Sequence, residues 1–234
     1  MPLNYKRVTL FAGHYGSGKT NIALNYARAL ARAGLRTCIA DLDIVNPYFR
    51  TKDSAAALTA AGSALISPQF ANSNVDLPAL PAEAYRLVED RATWAVMDIG
   101  GDDRGAYALG RYVPYILAEN DYRMVFVANP YRPLTRTPEL AMEVMGEIEA
   151  ACGLRFTDLV NNANLAAETT PEAVLGAIPY MEELSRLSGL PVFLTTAERS
   201  VAAGLQGKVE PLLPMTLQEK YFDLPEQRPR PLFG

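Results

Sequence analysis

The chain has 234 residues, 49% hydrophobic and 21% charged, enough for one sizeable core and without an internal linker that would divide it. A formal net charge of −4 argues against a broadly basic nucleic-acid surface, and the single histidine, His14, excludes a histidine-built metal site within one chain. Cys38 and Cys152 sit in no metal-ligand or redox spacing and read as core residues, and no signal peptide or membrane-spanning run is present, so a cytoplasmic protein without membrane contact is expected.

In chain order, a short β-rich run at 7–12 leads into Gly13-His14-Tyr15-Gly16-Ser17-Gly18-Lys19-Thr20, a full match to G-x-x-x-x-G-K-[ST]. A helical pattern at 21–33 follows, with Ile22, Leu24, Tyr26, Ala27 and Leu30 at mostly helical spacings and Gly34 closing the element. Glycines let a loop wrap a polyphosphate with successive N–H groups turned inward, and the next helix offers its free N–H groups to the same anion. Residues Gly13 through Thr20, together with Asn21, are therefore the candidate nucleotide-binding residues. Lys19 would reach the β and γ phosphates and act catalytically, while the Thr20 hydroxyl would ligate Mg²⁺.

Further strands are expected at 36–40, 64–66, 94–97, 124–128, 158–160 and 192–195, with helices near 54–61, 79–90, 104–117, 138–151 and 171–187. This alternation predicts an α/β, three-layer fold, a mainly parallel sheet with helices on both faces and ligands collected at the carboxyl ends of the strands. At one such end stands Asp41-Leu42-Asp43, two acids that can place one carboxylate near Mg²⁺ and another near an attacking water. Alone the pair also fits acids capping a turn; next to a phosphate loop the catalytic reading is favoured. At another, Asp98-Ile99-Gly100-Gly101 ends an apolar run. Asp98 is placed to hold Mg²⁺ through water, and Gly100 or Gly101 to offer an N–H to the γ phosphate.

The phosphate loop, the D-L-D exit and the D-I-G-G segment together resemble the ParA/MinD-like (CobQ/CobB/MinD/ParA nucleotide-binding) group of SIMIBI P-loop NTPases. The resemblance implies that Asp43 positions the attacking water and that Asp41 and Asp98 support the metal and the switch regions. It also marks a departure: the signature lysine that members carry after the first glycine, reaching the opposite subunit's nucleotide, is His14 in this chain. A nucleotide-dependent homodimer is thereby an open expectation rather than a given.

Asn161-Asn162-Ala163-Asn164 follows another strand, and an asparagine amide has the donor and acceptor that adenine requires. Asn161 or Asn162 is the candidate base reader, although an asparagine-rich turn accounts for the same residues. The chain has no N-K-x-D sequence, so ATP is expected ahead of GTP. Asn129-Pro130-Tyr131-Arg132-Pro133, at a further strand exit, reads as a partner surface, a substrate pocket or a rigid plug; Arg50 and Arg104 are candidate charge stabilisers. From Pro211 onward five prolines punctuate the chain, dividing it into a nucleotide-binding domain at 1–210 and a proline-rich tail at 211–234. Three functional readings follow, in this order: an ATP- and Mg²⁺-dependent nucleotide switch acting on an unidentified protein partner, with metalloenzyme maturation as a setting; a small-molecule kinase or ligase; a ParA-like DNA-associated scaffold.

Overall fold

A computed structural model describes residues 5–42, 63–66, 86–100, 107 and 109–217. Among them are eight strands: β1 (Val8–Ala12), β2 (Thr37–Asp41), β3 (Ser63–Ile66), β4 (Trp94–Asp98), β5 (Tyr122–Ala128), β6 (Asp158–Asn161), β7 (Val192–Glu198) and β8 (Leu212–Met215). They form one all-parallel sheet in the order β3-β2-β4-β1-β5-β6-β7-β8. The described helices are α1 (Lys19–Arg32), α2 (Arg86–Glu89), α3 (Val113–Glu119), α4 (Pro138–Cys152), α5 (Pro171–Gly176), α6 (Ile178–Ser188) and α7 (Arg199–Ala203).

Strand side chains alternate between the sheet's two faces, and both faces are buried, as a parallel sheet requires. On one, Val8, Leu10 and Ala12 of β1 pack with Leu87 and Val88 of α2, Ile116 of α3, Met145 of α4 and Leu184 of α6. On the other, Phe11 of β1 packs with Ile22, Tyr26 and Leu30, the i, i+4, i+8 stripe of α1. The three-layer α/β architecture read from the sequence is the one observed. Both cysteines are buried and unpaired, and burial pushes the Cys38 thiol up to about 11.

Local chemistry sets the ends of the helices. Thr137 caps α4 by accepting a hydrogen bond from Leu140 N at 3.3 Å, Pro138 occupies the first turn where no N–H is needed, and Gly153 closes it in the left-handed conformation. Thr170 and Pro171 open α5 in the same way. The single helix expected at 171–187 is broken at Ala177, because Pro179 in the first turn of α6 has no N–H to continue the ladder of α5.

At the domain boundary the structure corrects the sequence reading. β8 lies beyond residue 210 yet pairs in register with β7, Thr195 opposite Leu212 and Glu198 opposite Met215. The nucleotide-binding domain therefore includes residues placed in the proline-rich tail. Among the described residues β8 is an edge strand, and Pro214 is tolerated there because no ladder partner on its outer side is lost. The helix expected at 54–61 lies outside the described residues, as do parts of those at 79–90 and 104–117.

At the amino-terminal end of the sheet, Arg7 is buried and ion-paired with Glu119 of α3. It also donates to the carbonyls of Leu87 at 2.9 Å and Thr93 at 3.1 Å. Arg123 of β5 is held between Asp158, at 3.1 Å, and the ring of Phe193, whose centroid is 3.8 Å from its guanidinium carbon.

Candidate functional site

β1 is central in the sheet, so the loop that leaves it emerges in the middle of the carboxyl edge, where a parallel sheet collects its ligands. The turn is closed by Ser17 N donating to His14 O at 3.1 Å, and Lys19 Nζ donates to the same carbonyl at 3.1 Å. Lys19 is thus drawn across the loop and its side chain is buried. The intrahelical ladder begins with Ile22 N donating to Gly18 O at 3.2 Å. Among the described residues no side chain caps α1, and no acid stands in its first turn, where Thr20 and Asn21 lie, which leaves the positive end of the helix to an anion. Ser17 Oγ is buried and without a hydrogen-bond partner among the described residues. Tyr15 projects outward at 65% exposure, and His14 Nδ1 donates to Tyr15 O at 2.9 Å.

The two acids that end neighbouring strands come together at this loop. Asp41 and Asp98 are in register across β2 and β4, both buried, and Leu42 N donates to Asp98 O at 2.8 Å. The Thr20 hydroxyl donates to Asp98 Oδ2 at 2.6 Å. A hydroxyl and two carboxylates form an all-oxygen donor set of the hard type that Mg²⁺ prefers, and this set fits the ion. Among the described residues there is no group of three His, Cys, Asp or Glu side chains able to hold a metal ion. Mg²⁺ would therefore be shared with phosphate oxygens and water, as this ion commonly is. Asp43, Gly101, Arg50 and Arg104 lie outside the described residues.

The asparagines after β6 do not converge on one spot. Asn162 Nδ2 donates to the carbonyl of Ser17 at 2.6 Å, and its Oδ1 accepts from the Thr196 hydroxyl at 2.6 Å. One donor and one acceptor site of that amide are thereby engaged, which makes Asn162 a clamp on the phosphate loop. Gly18 lies directly against it: a Cβ there would stand 2.3 Å from Asn162 Nδ2, at φ +93, so the close approach and the left-handed backbone both require glycine. Asn161 points elsewhere, lining a separate cavity of about 270 Å³ with Met181, Glu182, Thr195 and Lys208, and its Oδ1 accepts from Ala163 N.

Asn129, read from the sequence only as part of a strand-exit loop, has an organising role that the sequence reading did not assign. Buried Asn129, at the end of β5, accepts from Tyr131 N at 3.0 Å and donates to Asn164 O at 3.1 Å, tying the β5 exit to the β6 exit. Its carbonyl accepts from Thr135 Oγ1 and Arg132 N. The available signal was an Asn-Pro pair directly after a strand on the same sheet edge.

Comparison with known proteins agrees with this geometry. The model of the CobQ/CobB/MinD/ParA nucleotide binding domain (CbiA) matches residues 8–190. No curated protein matches the chain. Among solved structures, chloroplast FtsY from Physcomitrella patens is 16% identical with a TM-score of 0.54, the match covering 81% of this chain and 57% of that one. The cell division protein FtsY from Thermotoga maritima is 16% identical with a TM-score of 0.50, covering 82% of this chain and 61% of that one. The chain thus spans less than two thirds of the length of either structure, and at this identity they bear on the fold alone. With its phosphate loop, its paired strand-end acids and a family match over most of its length, the chain belongs to the CobQ/CobB/MinD/ParA nucleotide-binding family of SIMIBI P-loop NTPases, with histidine where the signature lysine would stand.

Proposed function

We propose that this protein is a Mg²⁺-dependent ATPase that works as a nucleotide switch on a protein partner, in the cytoplasm and in the setting of metalloenzyme maturation. The observation that carries the reading is the 2.6 Å contact between Thr20 and Asp98. It joins the phosphate loop to the end of β4, whose neighbour β2 ends in Asp41 at the same level of the sheet. The chain segments leaving Asp41 and Asp98 therefore begin beside the metal position. A change in the phosphate chain would be felt by both, which is how nucleotide switches operate.

In this reading Lys19 and the loop N–H groups bind the phosphates, and Thr20, Asp41 and Asp98 hold Mg²⁺, which shields the phosphate charge. Asp43 orients the attacking water. ATP is preferred to GTP because the chain has no N-K-x-D sequence. A homodimer formed around ATP would lack the lysine contact and would rely on other groups.

Hydrogen exchange of residues 43–62 and 99–106 with Mg·ATP and with Mg·ADP, in a slowly hydrolysing Asp43→Ala variant, tests the switch. Protection that differs between the two nucleotides supports it. Equal protection, together with turnover that rises only on addition of a small acceptor, would replace it with a kinase or ligase. Competition of ATP against GTP for the wild-type chain tests base preference, and tighter GTP binding would overturn that part.

A further inference from the structure

β5 is hydrogen-bonded to β1, so the turn that follows it lies beside the phosphate loop. Asn129 fixes the backbone of that turn: its carbonyl accepts from Arg132 N at 3.1 Å, and Thr135 N donates to Arg132 O at 3.0 Å. Arg132 is thereby held over the middle of the loop. A Cβ placed on Gly16 would lie 3.8 Å from both Cζ and Nε of Arg132, with nothing on the glycine to stand between guanidinium and loop backbone.

One nitrogen of this guanidinium is left without a partner among the described residues. Among the described residues the buried Arg132 Nε has no hydrogen-bond partner, and no carboxylate pairs with this arginine. Among the described residues the two arginines buried as whole side chains are both satisfied, Arg7 by Glu119 and two carbonyls, Arg123 by Asp158 and Phe193. A desolvated donor without a partner is costly, and an arginine tolerates it where an oxyanion completes the site.

We propose that Arg132 is a phosphate-binding residue of the nucleotide site, contacting an oxygen of the polyphosphate from within the same chain. It would supply a permanent positive charge to a loop whose second position is His14 rather than lysine. The inference rests on reading Gly13–Thr20 as the triphosphate cradle and adds a second cation to Lys19.

The test compares wild type, Arg132→Ala, Arg132→Lys and Lys19→Ala for binding of Mg·ATP, Mg·GTP and inorganic tripolyphosphate, with thermal unfolding measured in the absence of ligand. Loss of one charge-assisted hydrogen bond should weaken triphosphate binding by Arg132→Ala roughly 10- to 100-fold. Arg132→Lys should recover part of it, and unliganded melting of both variants should stay near that of wild type. Wild-type affinity in Arg132→Ala, with Lys19→Ala impaired, would overturn this inference and leave the phosphate loop standing. So would a melting loss in both Arg132 variants that accounts for their weakened binding, since that identifies a prop rather than a ligand. Failure of the wild-type chain to bind any of the three probes would remove the cradle and the inference together. Should Arg132→Ala not fold, the Arg132→Lys and Arg132→Gln pair decides: a lysine no better than glutamine for triphosphate would count against the charge.

Discussion

Alanine at Gly18 and alanine at Gly16 should have unequal effects, and the difference measures the Asn162 clamp. Both glycines have positive φ, +93 and +75, so both substitutions carry the left-handed cost of about 1–2 kcal/mol. A Cβ at Gly16 meets Arg132 at an ordinary 3.8 Å, whereas a Cβ at Gly18 falls 2.3 Å from Asn162 Nδ2 and must expel it. Expulsion breaks the bonds of that amide to Ser17 O and from Thr196 Oγ1, roughly 1 kcal/mol each. Gly18→Ala is thus expected to cost about 2 kcal/mol more than Gly16→Ala, or roughly 4–8 °C in melting temperature for a domain of this size. Denaturant or thermal unfolding without nucleotide is the assay, with Asn162→Ala and the Gly18→Ala/Asn162→Ala double variant completing a cycle. The double variant should be less destabilised than the sum of its parts, because the atom that clashes is gone. Equal costs at Gly16 and Gly18, or simple additivity, would refute the clamp.

Three further outcomes follow from the same structure. Asp98→Asn should weaken Mg·ATP binding roughly tenfold while leaving binding in EDTA equal or stronger, since one carboxylate of the metal set is lost and one repulsion of the phosphates with it; equal loss in both conditions, read by titration calorimetry, would contradict the metal role. Arg7→Ala should destabilise the fold by about 3–5 kcal/mol in urea unfolding, because Glu119 is left as a nearly buried charge without its partner; a cost below about 1 kcal/mol would show the pair to be dispensable. Cys38 should resist alkylation in the native protein. Burial holds its thiol at about 11, so at pH 8 only roughly one molecule in a thousand carries the thiolate. Because that value is raised above the ordinary 9.0, the group's contribution is fully present below pH 9 and is lost as pH rises toward 11, so Cys38→Ala should flatten the fall in stability across that window.

What could be read from the sequence depended on how local the chemistry is. The phosphate loop is contiguous, and its flanks of an apolar run and an Ile22–Tyr26–Leu30 stripe specify strand, loop and helix without tertiary information. The sheet was legible for the same reason, since buried parallel strands appear as short apolar runs. Asp41 and Asp98 were visible as strand-end acids, but their register, and the bond from Thr20, arise from β2 and β4 being neighbours. Asn162 shows the limit. An asparagine after a strand suits a base reader, a turn or a clamp equally, and the clamp is visible only in its meeting with Ser17, 145 residues away. β8 was hidden by Pro211 and Pro214, which exclude a central strand but not an edge one. Arg132 read as one arginine in a proline-flanked loop; its approach to Gly16 depends on Asn129, whose network spans two strand exits.

The most direct test of the central claim is titration of the wild-type chain and of Lys19→Ala with Mg·ATP, followed by calorimetry. Saturable one-site binding to wild type is expected, weakening when Mg²⁺ is chelated and lost, with turnover, in Lys19→Ala. Binding and turnover in Lys19→Ala equal to those of wild type would contradict the assignment of Gly13–Thr20 as the phosphate site.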